Sequence, residues 1–536
     1  MELLVGDQND GASVSVRGTA SGLKLSKSMA GLVLFLISAA YFYAVLSKSR
    51  SSELWMDEIL AVSVARLPSL PGIWAAIWHG TEFSPPTYDI LLHYLKQLVG
   101  EGHGRLVWRI PSIIAVYGTA VCVYLLVRKH LSPLVALLAF GLVLDSELFD
   151  FADQARQYGI LSFGLAIALL LWNHFEDTRF RKLDSFALWL VLSGCLCLHF
   201  YGVIEVAAIG VAEIIWWASR KQFRLGIWLP LVFTVPVEAA WLPLASHLSA
   251  INVVNIRSPG YFGKPTAGQL IDTIYNIVLG GRTGALLLFA ALVLIGFAYL
   301  LQRSTLRAYV YEDLAVRDKR KFGLSRLEII MLTLFAIPFI AFALSFLVTH
   351  TYASRYALPA ALLIAIGPAF MLDRLPSRQI VALALLPLVL GTIIVRAHTP
   401  NPLISAPFTD ALTILNAPRP PFPVVVSQGM LYVELVEAAD AKTRSTLVYL
   451  RKPADAPNPD PTDERLVASL ATFHPEYQVA DPAEFLAKNP SFYVIYMPGA
   501  SVDTTTPWLI KQGLITGLVN EEGNTLLVRG GGAAAH

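Results

Sequence analysis

Charged residues are scarce in this chain of 536 residues: Asp, Glu, Lys and Arg make up only 15 % of it, whereas hydrophobic residues make up 55 %. Soluble domains carry about 25 % charged residues, so the composition excludes a soluble multidomain protein and predicts a polytopic membrane protein. The net charge is +2. Because a membrane-embedded chain uses its charges by position and not by their sum, this value implies no nucleic-acid partner.

Cysteine is also rare. The three cysteines, Cys122, Cys195 and Cys197, all lie within apolar runs, so neither a disulfide framework nor a thiolate metal cluster is predicted, and packing is the simplest role. No internal repeat of fixed period is present, which weighs against transporters built from inverted repeats. The first apolar run is not followed by a small-residue cleavage site, so we interpret it as an uncleaved first span.

Apolar runs long enough to cross a hydrocarbon core of ~30 Å predict about eleven transmembrane helices. They cover residues 29–47, 107–127, 133–151, 159–173, 185–202, 203–218, 225–246, 284–301, 328–349, 356–373 and 378–396. Lysine and arginine are concentrated in alternate connections, for example around Arg128, Arg220 and Arg374. The positive-inside rule places these connections in the cytoplasm, and the odd number of spans then places the C-terminal tail outside. We therefore expect an all-α polytopic membrane protein.

The chain outside the spans divides into recognisable segments. Its first outer loop, residues 48–106, contains a helix-like run at 59–67, then Trp74 and Trp78 on an amphipathic stretch that is suited to the membrane interface. The tail offers strand-like runs at 424–426, 492–497 and 525–529 and helix-like runs at 434–442 and 482–488. The expected organisation is a disordered cytoplasmic N-terminus over 1–28, a transmembrane domain over 29–399, a small soluble extracytoplasmic α/β domain over 400–529 and a disordered tail over 530–536.

Two adjacent carboxylates, Asp57 and Glu58, lie just beyond the first span. In the same loop Glu82 precedes a rigid Pro-Pro pair, and Arg109 stands at the mouth of the second span. Each has a simple structural alternative: the acidic pair as the solvated start of a helix, Glu82 as a loop acid, and Arg109 as an arginine that anchors the span at the interface.

Further polar residues recur on the same predicted face of the membrane. They are Arg156 and Tyr158, then His199 and Tyr201, and finally Arg355 and Tyr356. Outer turns are otherwise poor in positive charge here, and arginine in them opposes the bias that orients the protein. A functional reason is therefore favoured. A planar guanidinium can also hold phosphate oxygens through two parallel hydrogen bonds.

The ordered set of these motifs resembles the membrane-embedded GT-C glycosyltransferases, in the branch that contains protein O-mannosyltransferases and the lipid A aminoarabinose transferase. The resemblance covers roughly residues 29–396 and rests on Trp55-Met-Asp-Glu58, Ser84-Pro-Pro-Thr-Tyr88, Arg109-Ile-Pro-Ser112, Ala155-Arg-Gln-Tyr158, His199-Phe-Tyr-Gly202 and Arg355-Tyr-Ala-Leu-Pro359. One departure concerns Phe83, which follows Glu82 where the aminoarabinose transferase type has a lysine. The class of substrate therefore stays open.

The resemblance implies an inverting transferase that moves a monosaccharide from a polyprenyl-phosphate donor to an extracytoplasmic glycolipid, polysaccharide or protein acceptor, with membrane lipids as its surroundings. Asp57 would then be the base and Glu58 a supporting acid. Arg156 and Arg355 would bind the donor phosphate. Further candidates are Arg282 and Lys264 of the second outer loop, which covers residues 247–282. The donor pocket would contain Glu82, Arg109, Tyr158, His199, Tyr201 and Tyr356, and an optional divalent metal ion would be held by Glu82 and Asp57.

Two other functions remain open on the sequence. The intramembrane carboxylates Glu205, Glu213 and Glu238 are compatible with a proton-coupled transporter, because ionisable groups at membrane depth are costly and often functional. An O-antigen ligase or polymerase would also act on lipid-linked sugars at this face. The acidic pair directly after the first span favours a GT-C enzyme over a ligase.

Overall fold

The computed structural model describes residues 26–100, 104–175, 181–257, 263–281, 324–375, 378–400, 404–452, 461–498, 503 and 505–531, with a few isolated helical positions between 284 and 293. Its helices up to residue 400 are α1 (Lys27–Ser51), α2 (Met56–Arg66), α3 (Leu70–Trp78), α4 (Thr87–Val99), α5 (Leu106–His130), α6 (Pro133–Leu144), α7 (Leu148–Ala152), α8 (Tyr158–His174), α9 (Lys182–Leu198), α10 (Val203–Arg220), α11 (Leu225–Arg257), α12 (Ala267–Thr273), α13 (Arg326–Leu344), α14 (Leu363–Leu372) and α15 (Arg378–Arg396).

The chain is a multi-pass helical membrane protein. Among the described residues, 7 helices are long and apolar enough to cross a membrane, some together with a short 3-10 or π turn beside them. They are α1, α5, α10, α11, α13, α14 and α15, and α6 and α8 are shorter apolar helices. The run predicted at 284–301 lies largely outside the described residues. Each of the other predicted spans coincides with helical chain.

The run predicted at 133–151 is not one helix, and the expectation of a single span there was wrong. Helix α6 ends at Leu144 and α7 begins at Leu148. The break falls on polar residues that bond elsewhere: Asp145 accepts a hydrogen bond from Thr392 at 2.6 Å and lies 3.4 Å from Arg396. Both partners belong to α15, so the break joins two spans through an ion pair.

The first outer loop is largely helical, because α2, α3 and α4 fill it. The helix predicted at 59–67 begins three residues earlier, at Met56, since Asp57 and Glu58 occupy its first turn, where negative charge is favourable. Helix α3 exposes Trp74 and Trp78, as an interfacial stretch requires. The loop is thus a folded layer over the transmembrane bundle.

A mixed sheet with flanking helices forms the C-terminal part. Its elements are α16 (Ala406–Asn416), β1 (Val424–Val426), α17 (Gly429–Ala438), α18 (Ala441–Arg444), β2 (Leu447–Leu450), α19 (Pro461–Phe473), β3 (Val479–Ala480), α20 (Pro482–Lys488), β4 (Ser491–Tyr496), α21 (Thr505–Lys511), β5 (Ile515–Glu522) and β6 (Thr525–Gly531). The strand order is β3-β2-β1-β4-β6-β5. Strands β1 to β4 pair in parallel, and β6 is antiparallel to β4 and β5.

Three strands and one helix boundary differ from the predictions for this part. Strands β2, β3 and β5 were not predicted, and β6 extends to Gly531, past the expected domain end at 529. The helix predicted at 434–442 is interrupted before Ala441, because the Asp440 side chain accepts the Thr443 N–H at 2.7 Å and starts a new helix.

The C-terminal part packs directly on the first outer loop. One apolar cluster contains Ile59 of α2 together with Leu435 of α17 and Leu470 of α19. At its edge Arg66 pairs with Glu437 through two hydrogen bonds of 2.8 and 2.9 Å. The Glu434 carboxyl also accepts the Met56 N–H, and burial raises the pKa of Glu434 to about 7. The C-terminal part therefore reaches the residue beside Asp57.

Candidate active site

The start of helix α2 is organised by Glu58. Its carboxylate accepts the Trp55 N–H at 3.2 Å, which closes the first turn, and the Ala155 N–H at 2.6 Å. Consecutive residues on a helix point about 100° apart. Since Glu58 points into the buried interior, the neighbouring Asp57 faces a different surface.

Glu58 and Arg109 form a fully buried ion pair. Arg109 Nε and Nη2 donate to the two oxygens of Glu58, each at 2.8 Å. The remaining guanidinium N–H groups donate to the backbone carbonyls of Ser49, Ser52 and Glu53 at 2.8 to 3.2 Å. Every charge in this group is satisfied, so it locks the end of α1, the start of α2 and helix α5 together.

Asp57 faces Arg355 across a partly open space. Its Oδ2 lies 3.2 Å from Arg355 Nη2, and the side chains are 20 % and 29 % exposed, respectively. The Arg355 guanidinium also lies over the rings of Trp55 and Tyr158, at 6.0 and 5.7 Å from their centroids. This pair joins the first outer loop to the start of a late span, and of the ion pairs around Asp57 it is the one that solvent or a ligand can reach.

Glu82 and Arg156 form a second, more enclosed pair. Arg156 Nη1 donates to Glu82 Oε2 at 2.7 Å and to the Asp57 carbonyl at 3.0 Å, and both side chains are buried. The Arg156 carbonyl accepts the Ser112 hydroxyl at 2.7 Å. Arg156 thus fixes the backbone at Asp57 and links it to the Pro-Pro segment that follows Glu82.

Asp89 lies close to this second pair. It is buried, and neither carboxylate oxygen has a hydrogen-bond partner within the described ranges. Burial, and after it the negative charge of Glu82, raises the pKa of Asp89 well above its usual value. Asp89 therefore holds its proton to higher pH than an ordinary aspartate does.

Four aromatic side chains form one wall of the site. His199 lies between Tyr158 and Tyr356, with ring centroids 5.5 and 5.7 Å away, and Tyr201 stacks on Tyr356 at 3.8 Å. The Tyr201 hydroxyl donates to the Thr351 carbonyl at 2.6 Å and also bonds to Ser345. A π-helical turn after α13 supplies that serine, and turns of this kind are frequent at functional sites.

A small cavity lies behind this wall. It is lined by Tyr158, Leu161, Tyr201, Glu205, Arg355, Tyr356 and Pro359. Glu205 comes from the first turn of α10 and is buried. The cavity is therefore shared by Glu205 and by Arg355, the arginine that pairs with Asp57. On the sequence alone, Glu205 was compatible with a transporter.

Most of the predicted site residues come together. Asp57, Glu82, Arg156, Tyr158, His199, Tyr201, Arg355 and Tyr356 form a continuous set of contacts, and Glu58 with Arg109 lies directly beneath. Lys264 is exposed, but the neighbouring Gly263 carbonyl accepts the Tyr352 N–H at 2.7 Å, so its segment lies beside the Arg355 turn. Arg282 lies outside the described residues.

The predicted metal site does not fit these contacts. Glu82 is held by Arg156, and Asp57 by Arg355, so a cation would have to displace a guanidinium from each. Within the described ranges, no group of three or more His, Cys, Asp or Glu residues is arranged to hold a metal ion. A divalent metal held by Glu82 and Asp57 is therefore not supported.

Three residues of the site were not among the site residues predicted from the sequence. Trp55, Asp89 and Glu205 all contribute, but only through three-dimensional neighbours that no local pattern reveals. A signal existed for Asp89: it lies two residues into the helix that follows the Pro-Pro pair, where an acid is favoured. For Glu205 the signal was its position directly after the His199 to Gly202 turn.

Replacement of Arg109 by Met should lower the free energy of unfolding by about 3–5 kcal/mol, because the buried Glu58 carboxylate would lose its partner. Thermal unfolding of the purified protein in detergent measures the effect. The matched control is Arg374→Met, whose pair with Glu328 is 3.4 Å long and half exposed, and it should cost about 0–1 kcal/mol. Equal, small effects would show that the buried pair does not hold the loop in place.

The stability of the protein should fall as pH rises, in part because of Asp89. In the folded state this carboxyl keeps its proton, whereas the unfolded chain releases it above about pH 4, so each rise in pH favours unfolding. Asp89→Asn should therefore reduce the difference in melting temperature between pH 5 and pH 8. Asp272→Asn, at an exposed position, should leave that difference unchanged. A wild-type slope in the Asp89 variant would mean that Asp89 is ionised in the folded protein.

Comparison with known proteins identifies the fold. No protein-family model and no characterised protein sequence matches the chain. Among solved structures, ArnT from Cupriavidus metallidurans in its apo state aligns with a TM-score of 0.54 and 14 % identity, over 94 % of this chain and 98 % of that chain. Its complex with undecaprenyl phosphate gives a TM-score of 0.53 and 15 % identity, over 93 % and 98 %. An oligosaccharyltransferase from Archaeoglobus fulgidus gives 0.48 and 14 %, over 88 % and 70 %. This chain has the fold of the GT-C glycosyltransferases.

Proposed function

We propose that the protein is an inverting glycosyltransferase that moves a monosaccharide from a polyprenyl-phosphate donor to an acceptor outside the cytoplasm. The observation that carries the proposal is the partly exposed pair of Asp57 and Arg355, a carboxylate and a guanidinium 3.2 Å apart in a protein with a GT-C fold. Undecaprenyl phosphate bound to the similar ArnT supports a lipid-linked donor. The motifs that resemble GT-C enzymes include both residues.

Asp57 is the proposed base. Its carboxylate takes the proton from the acceptor hydroxyl or amine as the acceptor atom forms a bond to the anomeric carbon of the sugar. Arg156 donates to the Asp57 carbonyl, and Glu434 accepts the N–H of the preceding Met56, so the residue is held from both sides. A positioned base of this kind contributes about 10²–10⁴-fold to the rate.

Arg355 is the proposed partner of the leaving group. When the bond between the anomeric carbon and the phosphate oxygen breaks, its electron pair passes to that oxygen, and the polyprenyl phosphate departs with an added negative charge. The guanidinium of Arg355 would stabilise this charge. A single displacement of this kind inverts the anomeric configuration.

The other predicted site residues receive supporting roles. Glu58 and Arg109 satisfy each other completely, so we assign them to positioning Asp57 and not to proton transfer. Arg156 is already engaged by Glu82, which makes it a weaker candidate than Arg355 for the donor phosphate. Lys264, beside the Arg355 turn, is a further phosphate candidate, and Arg282 stays a prediction.

The surroundings of the site support the remaining parts of the proposal. Positive charge at the opposite ends of the spans suggests that the site and the C-terminal part face away from the cytoplasm, in a bacterial inner membrane. The C-terminal part packs over the first outer loop and so borders the side from which an acceptor would enter. A glycolipid, a polysaccharide and a protein side chain all carry suitable hydroxyl or amino groups.

Asp57→Asn should lower the turnover number by about 10²–10⁴-fold, because the amide cannot accept the acceptor proton. The assay is transfer of radiolabelled sugar from synthetic polyprenyl-phosphate donors in proteoliposomes. Asp272→Asn, at an exposed position of the second outer loop, serves as the control. Full activity of a well-folded Asp57→Asn protein would exclude Asp57 as the base.

Arg355→Gln should raise the KM for the donor and lower the turnover number by about 10²-fold or more, while the KM for the acceptor stays close to the wild-type value. Arg355→Lys keeps the charge but loses the planar fork, so it should be intermediate. The same proteoliposome assay provides both constants. Equal losses for donor and acceptor would point to a structural role for Arg355.

A further inference from the structure

Glu205 has no role in the proposed transfer step, yet it occupies an unusual position. The side chain is only 2 % exposed, and its Oε2 atom is buried with no hydrogen-bond partner among the described residues. A buried carboxyl without a partner costs free energy, so residues of this kind are seldom retained for stability alone. Glu205 also lines the cavity behind the aromatic wall.

Arg355 offers the complementary group in the same cavity. Its Nη2 is engaged with Asp57, but its Nε is buried and makes no hydrogen bond within the described ranges. Nε–H is a donor only, and a carboxyl oxygen such as Glu205 Oε2 can accept a hydrogen bond. Two residues that line this cavity, from two different transmembrane helices, therefore carry one unused donor and one unused acceptor.

The size of the cavity restricts what can bind there. Its volume is about 10 Å³, which matches one water-sized group and is far too small for a sugar ring. The stacked rings of Tyr201 and Tyr356, 3.8 Å apart, and the bonds of the Tyr201 hydroxyl to Ser345 and Thr351 give this wall a fixed shape. The space therefore has room for at most one substituent of a larger ligand.

We propose that this cavity is a specificity site that receives one hydroxyl group of the donor sugar, which accepts a hydrogen bond from Arg355 Nε and donates one to Glu205. A hydroxyl satisfies both atoms, because it is donor and acceptor at once. An ammonium group cannot accept from Arg355, and a methyl group or hydrogen leaves both atoms unpaired. The inference rests on the proposed function and adds to it the chemistry by which the sugar is selected.

The test compares donors that differ at one ring position. A panel of polyprenyl-phosphate monosaccharides first identifies a sugar that the wild-type protein transfers, and its monodeoxy and amino analogues follow. Wild-type protein should prefer the parent sugar over the deoxy and amino analogues at one position by about 10-fold or more in kcat/KM. Glu205→Met, which has a similar length, should abolish that preference at that position alone, and Glu205→Gln should retain part of it.

The control variant is Glu238→Met, which changes an intramembrane carboxylate of α11 that is not among the residues lining this cavity, and it should keep the wild-type preference. If the wild type transfers sugar but Glu205→Met keeps the preference, or loses it equally at all positions, the specificity site is excluded while the transferase stands. If the wild type neither transfers any sugar of the panel nor is stabilised against heat by sugar-bearing over sugar-free polyprenyl phosphate, both proposals fail.

Thermal unfolding without donor provides the second measurement. Because Glu205 Oε2 has no partner in the described protein, Glu205→Met should keep or raise the melting temperature. A lower melting temperature would show that the carboxyl holds the helices together, and would overturn the assignment. If an ordered water alone occupied the cavity, the deoxy and parent sugars would react at the same rate, which also overturns it.

Discussion

The buried ion pair of Glu58 and Arg109 is the interaction on which the rest of the site depends. Two charges removed from water destabilise a protein unless each is paired and hydrogen-bonded. Here the Arg109 guanidinium also donates hydrogen bonds to the carbonyls of Ser49, Ser52 and Glu53. Glu58 accepts hydrogen bonds from the N–H groups of Trp55 and Ala155. This ion pair therefore holds the end of α1 and the start of α2, between which the chain passes from the first span into the first outer loop.

The pair also explains how two neighbouring acids acquire different tasks. Successive side chains of a helix diverge, so when Glu58 is drawn inward by Arg109, Asp57 must point toward the partly open space beside Arg355. The hydrogen bonds from Arg109, Trp55 and Ala155 engage both oxygens of Glu58, whereas the Asp57 side chain stays partly exposed beside Arg355. A second arginine, Arg156, then holds the Asp57 backbone in that direction.

The sequence predicted the membrane class, and seven of the eleven predicted spans coincide with helices long and apolar enough to cross a membrane, because hydrophobic length is a local property. Most of the residues that meet at the site were also predicted, because polar residues at the ends of spans can be located from the sequence alone. It could not predict which acid pairs with which arginine, since Glu58 and Arg109 are separated by 51 positions. For the same reason the sequence did not predict the break in the run at 133–151, where Asp145 pairs with Arg396 of a helix far along the chain. Strands β2 and β3 are too short to show a period of two, and their parallel pairing is non-local.

Glu205 shows how a three-dimensional neighbour changes the meaning of a residue. On sequence alone an acid within a span suggests ion movement, because ions need a chain of such groups across the membrane. In the structure Glu205 instead lines a water-sized cavity together with Arg355, the residue that pairs with Asp57. A proton path would require further polar groups along the helices beyond this cavity. A site that selects for one substituent requires only one donor and one acceptor, such as Arg355 Nε and Glu205 Oε2. Burying a carboxyl group without a protein partner costs free energy, and the correct sugar offsets this cost when it supplies the missing hydrogen bond. A sugar without the hydroxyl cannot do so, and the protein can therefore select one sugar over another.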